Sequence, residues 1–337
     1  MTLEPPLIRV GLLGHGSAGR RLHGPLIEAA GAFRIVAVST SRAETLAERR
    51  DAPRQEMDPR AVIQADDVDL VVVATPNDTH ADLAAAALEA GKAVVVDKPL
   101  ALSTADADRL IALAKAKGRM LTVFQNRRWD GDFLAVRQAI GSGELGEILL
   151  VEARWDRFRP VAARTWKNAP GGGVLWDLGS HLIDQALQMF GAPEAVAADL
   201  AIQRDGALTD DYAELTLTYG RMRCILSAAC VVAAARPRFA VHGTKGSLLT
   251  FGVDPGEGRL QGGRHPSDPD FSEGLSIPAE RVTAEGREAL HLPAGDWVAF
   301  YRAVAASLRT GAPPPVDPAE VRAALAIIER AYAEAGM

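Results

Sequence analysis

Short apolar runs and helix-forming stretches alternate along the first 125 residues of the chain. The apolar runs predict buried strands at residues 8–13, 34–39, 70–74, 93–96 and 120–124. Helix-forming stretches lie between several of them, at residues 18–30, 81–90 and 103–118. Continuous apolar strands that alternate with helices are typical of a parallel sheet covered on both faces. The pattern therefore predicts a doubly wound parallel sheet, whose ligand crevice lies outside the carboxyl ends of the strands.

Helix boundaries in this pattern carry capping signals. Ser103 and Asp106 have the spacing of a capping box, and Gly118 lies where a helix often ends in a left-handed residue. Near the C-terminus, Asp317 and Pro318 predict an N-cap and a first helical residue. We therefore expect helices to begin after Ser103 and after Asp317.

The pattern changes after residue 124, where longer runs alternate apolar and polar positions. These runs predict strands with one buried face, at residues 146–155, 195–203, 212–220, 223–233 and 236–243. Because few helix-sized spacers separate them, we expect a C-terminal α/β domain with an open, mostly antiparallel sheet. The segment 251–290 is rich in Gly, Pro and charged residues, which predicts a long surface excursion. The expected domains are 1–125, 126–316 and a C-terminal helix, 317–337, that packs back on the first domain.

A glycine loop follows the first predicted strand and opens a helix. Residues 14–19 read GHGSAG, so Gly14, Gly16 and Gly19 match G-x-G-x-x-G. The first glycine allows a tight turn, the second lets backbone approach a pyrophosphate, and the third lets helix and strand pack closely. The loop predicts a Rossmann dinucleotide-binding domain, with Ser17 and Ala18 also contacting the cofactor near the helix N-terminus.

The end of the second strand indicates which dinucleotide is preferred. An NAD site usually has an acid there for the ribose 2′-hydroxyl, but this chain has Ser39, Thr40, Ser41 and Arg42. Hydroxyls and an arginine favour a 2′-phosphate, so we expect NADP rather than NAD. Ser41 and Glu44 also have capping-box spacing, an alternative that is compatible with the first.

Two further loops at predicted strand ends carry candidate cofactor contacts. Thr75, Pro76, Asn77 and His80 follow the strand that ends at residue 74. Asn77 or Thr79 has capping of the next helix as an alternative role.

Asp97 and Lys98 directly follow the valine strand 94–96. A charge buried without a partner is costly, so both side chains are expected to face the ligand crevice rather than the core.

The stretch GGGVLWDLGSHLID, residues 171–184, is the most informative part of the second domain. Leu178 and Leu182 belong to an apolar helical stripe, whereas Asp177 and His181 are four residues apart and share another face. Their side chains are therefore expected to reach one ligand, with a half-buried structural histidine as the alternative for His181. Asp184 continues the same line and is expected to be structural or supporting.

Composition and charge narrow the function. The formal net charge is −6 and the sequence pI about 5.7, which argues against a general nucleic-acid or membrane surface. We see no secretory signal, and no apolar run approaches the roughly 18 residues of a membrane span. Two cysteines, Cys224 and Cys230, lie too far apart along one predicted strand for a disulfide, which fits the cytoplasm. Histidine and cysteine spacing predicts no metal site.

Five motifs occur together and in order: GHGSAG, TPNDTH, AGKAVVVDKPLALS, FQNRRWD and GGGVLWDLGSHLID. Together they resemble the glucose–fructose oxidoreductase, inositol dehydrogenase and rhizopine-catabolism (Gfo/Idh/MocA) family over nearly the whole chain. The resemblance implies an NAD(P)-dependent dehydrogenase acting on CH–OH groups, with a Rossmann domain and an open-sheet α/β domain. It also implies a homodimer or homotetramer formed through that sheet. The motifs DKP, NRRWD and DRFRP resemble the NADP-dependent scyllo-inositol dehydrogenase branch.

The resemblance also implies roles for individual residues. Lys98 matches the lysine of the family's E-K-P motif, with Asp97 in the acid's place and a cis bond before Pro99. Asp177 and His181 match the family's Asp and His. We expect His181 to accept the hydroxyl proton and Lys98 to stabilise the reacting oxygen, although the two roles exchange if burial neutralises the lysine. Asp177 is expected to orient His181 or bind a neighbouring hydroxyl.

The remaining predicted contacts belong to the substrate and the cofactor. Arg127, Asp156, Arg157 and Trp166 are candidate substrate contacts, with a structural role as the alternative for each. Asn126, in the FQNRRWD motif, joins Asp97 and Lys98 as a candidate cofactor contact.

Three rival interpretations remain open. In the first, the same chemistry acts on a different substrate, which is an aldose, an anhydro sugar or a dihydrodiol. A non-catalytic NADP-binding regulator is a second rival, although the presence of Lys98, Asp177 and His181 argues against it. A reductase that runs only toward the alcohol differs in direction and not in chemistry.

Overall fold

The computed structural model describes residues 5–41, 52–162, 172–234 and 236–337, and the chain divides into two compact units. The first unit comprises Met1–Asn126, Glu257–Glu273 and Trp297–Arg322. The second unit comprises Arg127–Gly256, Gly274–Asp296 and Ala323–Met337. Each unit is built around a sheet of its own.

A six-stranded sheet, counted over the described residues, organises the first unit. Its strands are β1 (Ile8–Leu13), β2 (Phe33–Ser39), β3 (Arg54–Glu56), β4 (Leu70–Val73), β5 (Ala93–Asp97) and β6 (Leu121–Phe124). They pair in parallel in the order β3-β2-β1-β4-β5-β6. Strands β4, β5 and β6 are almost wholly buried, because helices cover both faces of the sheet. The predicted Rossmann sheet is thereby confirmed.

Nine α-helices lie within the described residues. They are α1 (Gly24–Ala29), α2 (Pro59–Gln64), α3 (His80–Glu89), α4 (Thr104–Lys117), α5 (Gly131–Ser142), α6 (Ser180–Phe190), α7 (Gly256–Gln261), α8 (Val298–Thr310) and α9 (Pro318–Ala335). Two of them follow single π-helical turns, Gly19–His23 before α1 and Leu175–Gly179 before α6. The predicted caps are confirmed: the Ser103 hydroxyl accepts from the Asp106 amide, Gly118 is left-handed, and the Asp317 carboxylate accepts from the Ala319 amide.

A second sheet, eight-stranded within the described part of the chain, organises the second unit. Its strands are β7 (Ile148–Asp156), β8 (Ala195–Ala201), β9 (Tyr212–Tyr219), β10 (Met222–Ala229), β11 (Phe239–Gly243), β12 (Ser247–Thr250), β13 (Ser276–Thr283) and β14 (Gly286–Pro293). The order is β14-β13-β12-β11-β7-β10-β9-β8, and every pair is antiparallel except β7 with β10. The predicted mostly antiparallel sheet is confirmed.

Some elements differ from the sequence prediction. The segment 251–290 is not only a surface excursion, because it contains α7, β13 and most of β14. Strand β14 is an exposed edge strand rich in charge, so its apolar alternation is weak. The three-residue strand β3 and the short helix α2 were not predicted, since both lie in a polar stretch.

The C-terminal helix also differs from the expected arrangement. Residues 318–322 of α9 belong to the first unit, whereas its remainder belongs to the second. There, Arg330 donates to the Val196 carbonyl, and the Tyr332 ring stacks on Trp176 with centroids 6.1 Å apart. Helix α8, which we expected within the second domain, is part of the first unit.

A buried ion pair and hydrogen bonds hold helix α6 in place within the second unit. The Arg128 guanidinium donates to both carboxylate oxygens of Asp184 at 2.9 and 2.7 Å, and both side chains are at most 9% exposed. Gln185, fully buried, donates to the Arg127 carbonyl and accepts from Arg238. These contacts fix the helix that carries His181, and they support the predicted structural role of Asp184.

This ion pair yields a stability prediction. We expect Asp184→Ala to lower the free energy of unfolding by about 3–5 kcal/mol, because it removes the carboxylate from a buried guanidinium. The exposed bidentate pair Asp108–Arg322 provides the control, and Asp108→Ala is expected to cost less than about 1 kcal/mol. Urea unfolding followed by tryptophan fluorescence measures both. Equal losses in the two variants would contradict the assigned role of burial.

Candidate active site

The glycine loop after β1 makes a tight turn against β4. Gly14 has φ +90°, and its amide donates to the Ser39 carbonyl at 3.0 Å. A Cβ placed on Gly14 would lie 2.4 Å from the carbonyl oxygen of Ala74, so only glycine fits there.

The other two glycines of the loop have opposite surroundings. A Cβ on Gly19 would lie 2.0 Å from the Gly14 carbonyl oxygen, so Gly19 permits the close contact between helix and loop. Gly16 is exposed, and a Cβ there would meet nothing within 4 Å. Open backbone at Gly16, at the start of a helical segment, fits the pyrophosphate of a dinucleotide. Ser17 and Ala18 lie on the same open turn, exposed and half-buried respectively.

The end of β2 lies next to this loop. Ser39 and Thr40 are nearly buried and held by backbone bonds, with the Thr40 amide donating to the Glu56 carbonyl at 2.9 Å. Ser41 is exposed and faces outward, whereas Arg42, with the alternative capping residue Glu44, lies outside the described residues. Glu56, at the end of the unpredicted strand β3, is paired with Arg54 at 3.1 Å.

Asp97 and Lys98 form the end of β5. The Asp97 carboxylate accepts the Lys98 backbone amide at 2.8 Å, and the Lys98–Pro99 bond is cis, which confirms that expectation. Burial alone would raise the pKa of Asp97, but His23, His80 and Lys98 together hold this pKa below its usual value. Asp97 is therefore a carboxylate at neutral pH, beside the backbone of the lysine.

His80 has a different position from the one expected of a cofactor contact. Its ring is 1% exposed, with Nδ1 2.7 Å from the Pro99 carbonyl oxygen and Nε2 2.9 Å from the Thr75 carbonyl oxygen. His80 thus ties the loop after β4 to the turn after β5. Of the other predicted contacts in the loop, Pro76 is exposed and Asn77 is half-buried.

The alternative helix cap in this loop is wrong for Thr79. Its hydroxyl donates to the Pro76 carbonyl at 2.7 Å and makes no capping bond to helix α3.

Asp177 and His181 face strand β7 in the second unit. Arg157 donates to the Asp177 carboxylate at 3.2 Å, and the Trp155 ring lies 5.8 Å from the His181 ring, centroid to centroid. Trp155 lies near the end of β7, and Arg157 directly follows the strand. Asp177 and His181 therefore each have a different neighbour on this segment of the chain.

Asp156, a candidate substrate contact with a structural alternative, lies on the opposite side of the strand from Trp155. Successive side chains of a strand alternate between faces, so Asp156 points away from the face of Trp155 and Arg157. It accepts two hydrogen bonds from Arg236, each 2.7 Å long.

Arg127 is buried and stacked rather than open to solvent. Its guanidinium carbon lies 4.7 Å from the centre of the Trp155 ring, and its Nη1 lies 3.3 Å from the Asp130 carboxylate. The structural alternative thus describes Arg127 better than direct substrate contact. Trp166 lies outside the described residues, and Asn126 is 5% exposed at the end of the first unit.

Asp210 and Tyr332 support the turn that carries Asp177, and sequence reasoning missed both. The Asp210 carboxylate accepts the Leu175 amide at 2.8 Å and the Tyr332 hydroxyl at 2.6 Å. Burial raises the pKa of Asp210, although the bond from Tyr332 opposes this shift. Gly173, with φ +104°, leaves room for the carboxylate, since a Cβ would lie 1.9 Å from its oxygen. The triple glycine before the helix was the available signal.

Lys98 belongs to the first unit, whereas Asp177 and His181 belong to the second. Within the described residues, no cluster of three or more His, Cys, Asp or Glu side chains is arranged to hold a metal ion. Among the same residues, no helix combines the length and the apolar character needed to cross a membrane.

Comparison with known proteins gives consistent matches over both units. Residues 8–125 match a family described as an oxidoreductase family with an NAD-binding Rossmann fold, and residues 133–249 match the GFO/IDH/MocA C-terminal domain. The oxidoreductase YdgJ of Escherichia coli is 39% identical over 329 residues, which cover 96% of this chain and 94% of that protein. The scyllo-inositol 2-dehydrogenase (NADP(+)) IolW of Bacillus subtilis is 36% identical over 335 residues, covering 96% and 92%. A solved structure from Klebsiella pneumoniae has a TM-score of 0.90 at 40% identity and covers 99% of this chain and 94% of its own.

The two glycines with opposite surroundings give a prediction about cofactor binding. We expect Gly16→Ala to change the free energy of unfolding by less than about 0.5 kcal/mol, because its Cβ enters open space. The same Cβ would stand where the pyrophosphate of a dinucleotide is expected, so dinucleotide affinity should fall at least about tenfold. Gly19→Ala should instead destabilise the protein by about 1–3 kcal/mol through overlap with the Gly14 carbonyl. Fluorescence titration with NADPH measures cofactor affinity in both variants, and urea unfolding measures their stability. Tight NADPH binding by Gly16→Ala would refute the assignment of the glycine loop as the pyrophosphate site.

Proposed function

Because the chain belongs to the GFO/IDH/MocA family of oxidoreductases, with an NAD-binding Rossmann domain, we propose that it oxidises a secondary hydroxyl of a cyclic polyol or sugar with NADP. The family and its inositol dehydrogenase relatives make the chain a dehydrogenase acting on CH–OH groups. One observation supports the finer proposal: Asp97 ends buried strand β5 and Lys98 follows it, at the carboxyl edge of the parallel sheet, where sheets of this class bind their ligands. A scyllo-inositol-type substrate is favoured, with aldoses, anhydro sugars and dihydrodiols as the other substrates to test.

The nicotinamide, when bound, supplies the hydride chemistry, and the chain's own residues handle the proton and the charge. Lys98 donates a hydrogen bond to the reacting oxygen and stabilises its developing negative charge. His181 accepts the hydroxyl proton at a ring nitrogen, because an imidazole titrates near neutral pH. Asp177, paired with Arg157, orients the substrate or His181. This mechanism requires the two units to bring their residues to one substrate.

NADP is the proposed cofactor because the loop after β2 offers hydroxyls and an arginine. Ser41 is exposed at this strand end, where an NAD site has an acid. The nearby acid Glu56 is paired with Arg54, which offsets its repulsion toward a phosphate. The similarity to the NADP-dependent IolW supports the same choice.

Arg157 is the proposed polar contact for the substrate beside Asp177. Its guanidinium is about one-quarter exposed, so it retains donors for a substrate hydroxyl while it pairs with Asp177. We further propose a homodimer or homotetramer formed through the second unit's sheet. The free, buried cysteines Cys224 and Cys230 suit the reducing cytoplasm, which is the proposed compartment.

The reaction is tested by following nicotinamide absorbance with inositols, aldoses and sugar acids, each with NADP and NAD. Turnover of a polyol or sugar is the expected result. NADPH binding without turnover on any member of the panel would instead favour a non-catalytic regulator.

Lys98 gives the sharpest mutational prediction for the reaction. We expect Lys98→Ala to lower kcat by about 10²- to 10⁴-fold, because the reacting oxygen loses its charged donor. Binding of NADPH should persist, and the exposed Lys117→Ala control should leave kcat unchanged. Steady-state kinetics on the best substrate of the panel measures the effect, and near-normal turnover by Lys98→Ala would exclude the proposed role.

Cofactor preference gives a separate prediction. The wild-type protein should show a higher kcat/KM with NADP than with NAD. Ser41→Asp should lower kcat/KM for NADP at least about tenfold, because the new carboxylate repels a 2′-phosphate, and should leave NAD little changed. A wild-type preference for NAD would overturn the assignment.

A further inference from the structure

A buried tyrosine–histidine pair in the first unit adjoins Asp97, and the proposed reaction does not use it. His23 lies at the end of the π-helical turn after the glycine loop, and Tyr301 lies on α8; both side chains are fully buried. His23 Nδ1 is 2.6 Å from the Tyr301 hydroxyl, and its Nε2 is 3.7 Å from Oδ2 of Asp97. Three elements distant in sequence thus meet at one carboxylate.

The three groups favour one direction for the short hydrogen bond between the rings. Burial, reinforced by the Asp97 charge, raises the pKa of Tyr301 well above its ordinary value, so the phenol keeps its proton and is a donor. When it donates to Nδ1 of His23, the hydrogen of the imidazole lies on Nε2. Nε2 is 3.7 Å from Oδ2 of Asp97, and among the described residues it has no hydrogen-bond partner, so the charge of Asp97 is the feature that it faces.

Asp97 connects the His23 ring to the backbone of Lys98. Its Oδ1 accepts the Lys98 backbone amide at 2.8 Å, while its Oδ2 faces His23. With one oxygen hydrogen-bonded and the other beside the His23 ring, the carboxylate favours one orientation, which also constrains the peptide that carries Lys98. The aromatic rings of Phe124 and Phe300 pack against Tyr301 and leave its ring little freedom.

We propose that His23 and Tyr301 are positioning residues that hold Asp97, and through it the Lys98 peptide, in the geometry the reaction needs. His23 follows Gly19 by one helical turn, so the same turn that begins at the dinucleotide loop ends at this carboxylate. The proposal rests on the proposed function only where it concerns turnover. Its structural part has a readout that needs no substrate.

Hydrogen exchange of the Lys98 amide provides that readout. Tyr301→Phe removes only the hydroxyl and keeps the ring packing, and we expect it to speed exchange of this amide about tenfold. His23→Asn keeps an acceptor for Tyr301 but places no donor near Asp97, so it should have a similar effect. His23→Gln extends an amide N–H to the position of Nε2 and should restore most of the protection.

A matched control comes from the second unit. Tyr219 donates its hydroxyl to the Gly191 carbonyl at 3.0 Å, so Tyr219→Phe deletes a comparable bond far from β5 in sequence. It should leave exchange at Lys98 unchanged. If Tyr301→Phe and His23→Asn also leave it unchanged, the pair only fills space and the proposal is overturned.

Turnover on scyllo-inositol, or on the best polyol of the substrate panel, tests the functional part. Tyr301→Phe and His23→Asn should lower kcat about tenfold while KM for NADP stays within about twofold, since the cofactor contacts remain. His23→Gln should recover kcat in parallel with Lys98 protection. Faster exchange with unchanged kcat would overturn the functional role. If these variants exchange faster but the wild-type protein turns over no polyol, the proposed function is refuted, whereas the structural positioning stands.

Discussion

A carboxylate at the end of a buried strand is the constraint on which the first unit's site depends. Three valines place β5 in the core, and Asp97 follows them at the edge of the crevice. Such a charge must be offset where it stands, because water reaches it poorly. His23, His80 and the Lys98 charge supply that compensation, and they hold the pKa of Asp97 below its usual value. The hydrogen bond from the Lys98 amide to Asp97 also constrains the backbone that carries the lysine.

The second unit meets a similar problem by a different route. Helix α6 is anchored near its middle by Asp184 and Gln185, which contact buried arginines, and the turn before it is held by Asp210. Asp177 and His181 lie between these anchors, opposite Arg157 and Trp155. Preorganised side chains lower the cost of reaching a transition state, since no reorganisation is needed at the moment of reaction. In each unit, the buried polar contacts thus surround the candidate catalytic groups.

Much of this architecture could be predicted from the sequence because the signals are local. The valine-rich strands, the glycine loop and the caps at Ser103 and Asp317 each depend on neighbouring residues. The edge strands β3 and β14 could not be predicted, because solvent exposure removes the apolar alternation. The pairing of Asp156 with Arg236 could not be predicted, because the two residues are 80 positions apart in the sequence. The pairs His23–Tyr301 and Asp210–Tyr332 were beyond reach, because their partners are 278 and 122 residues apart.

The proposed function requires the lysine that follows β5 and the histidine of α6 to reach the same hydroxyl of a polyol. A crystal structure of the protein with NADP and scyllo-inositol tests it most directly. The account predicts that Nζ of Lys98 and a ring nitrogen of His181 both lie within hydrogen-bonding distance of one substrate hydroxyl, beside the nicotinamide. A nicotinamide bound away from β5, or a substrate oxygen that contacts neither side chain, would contradict it.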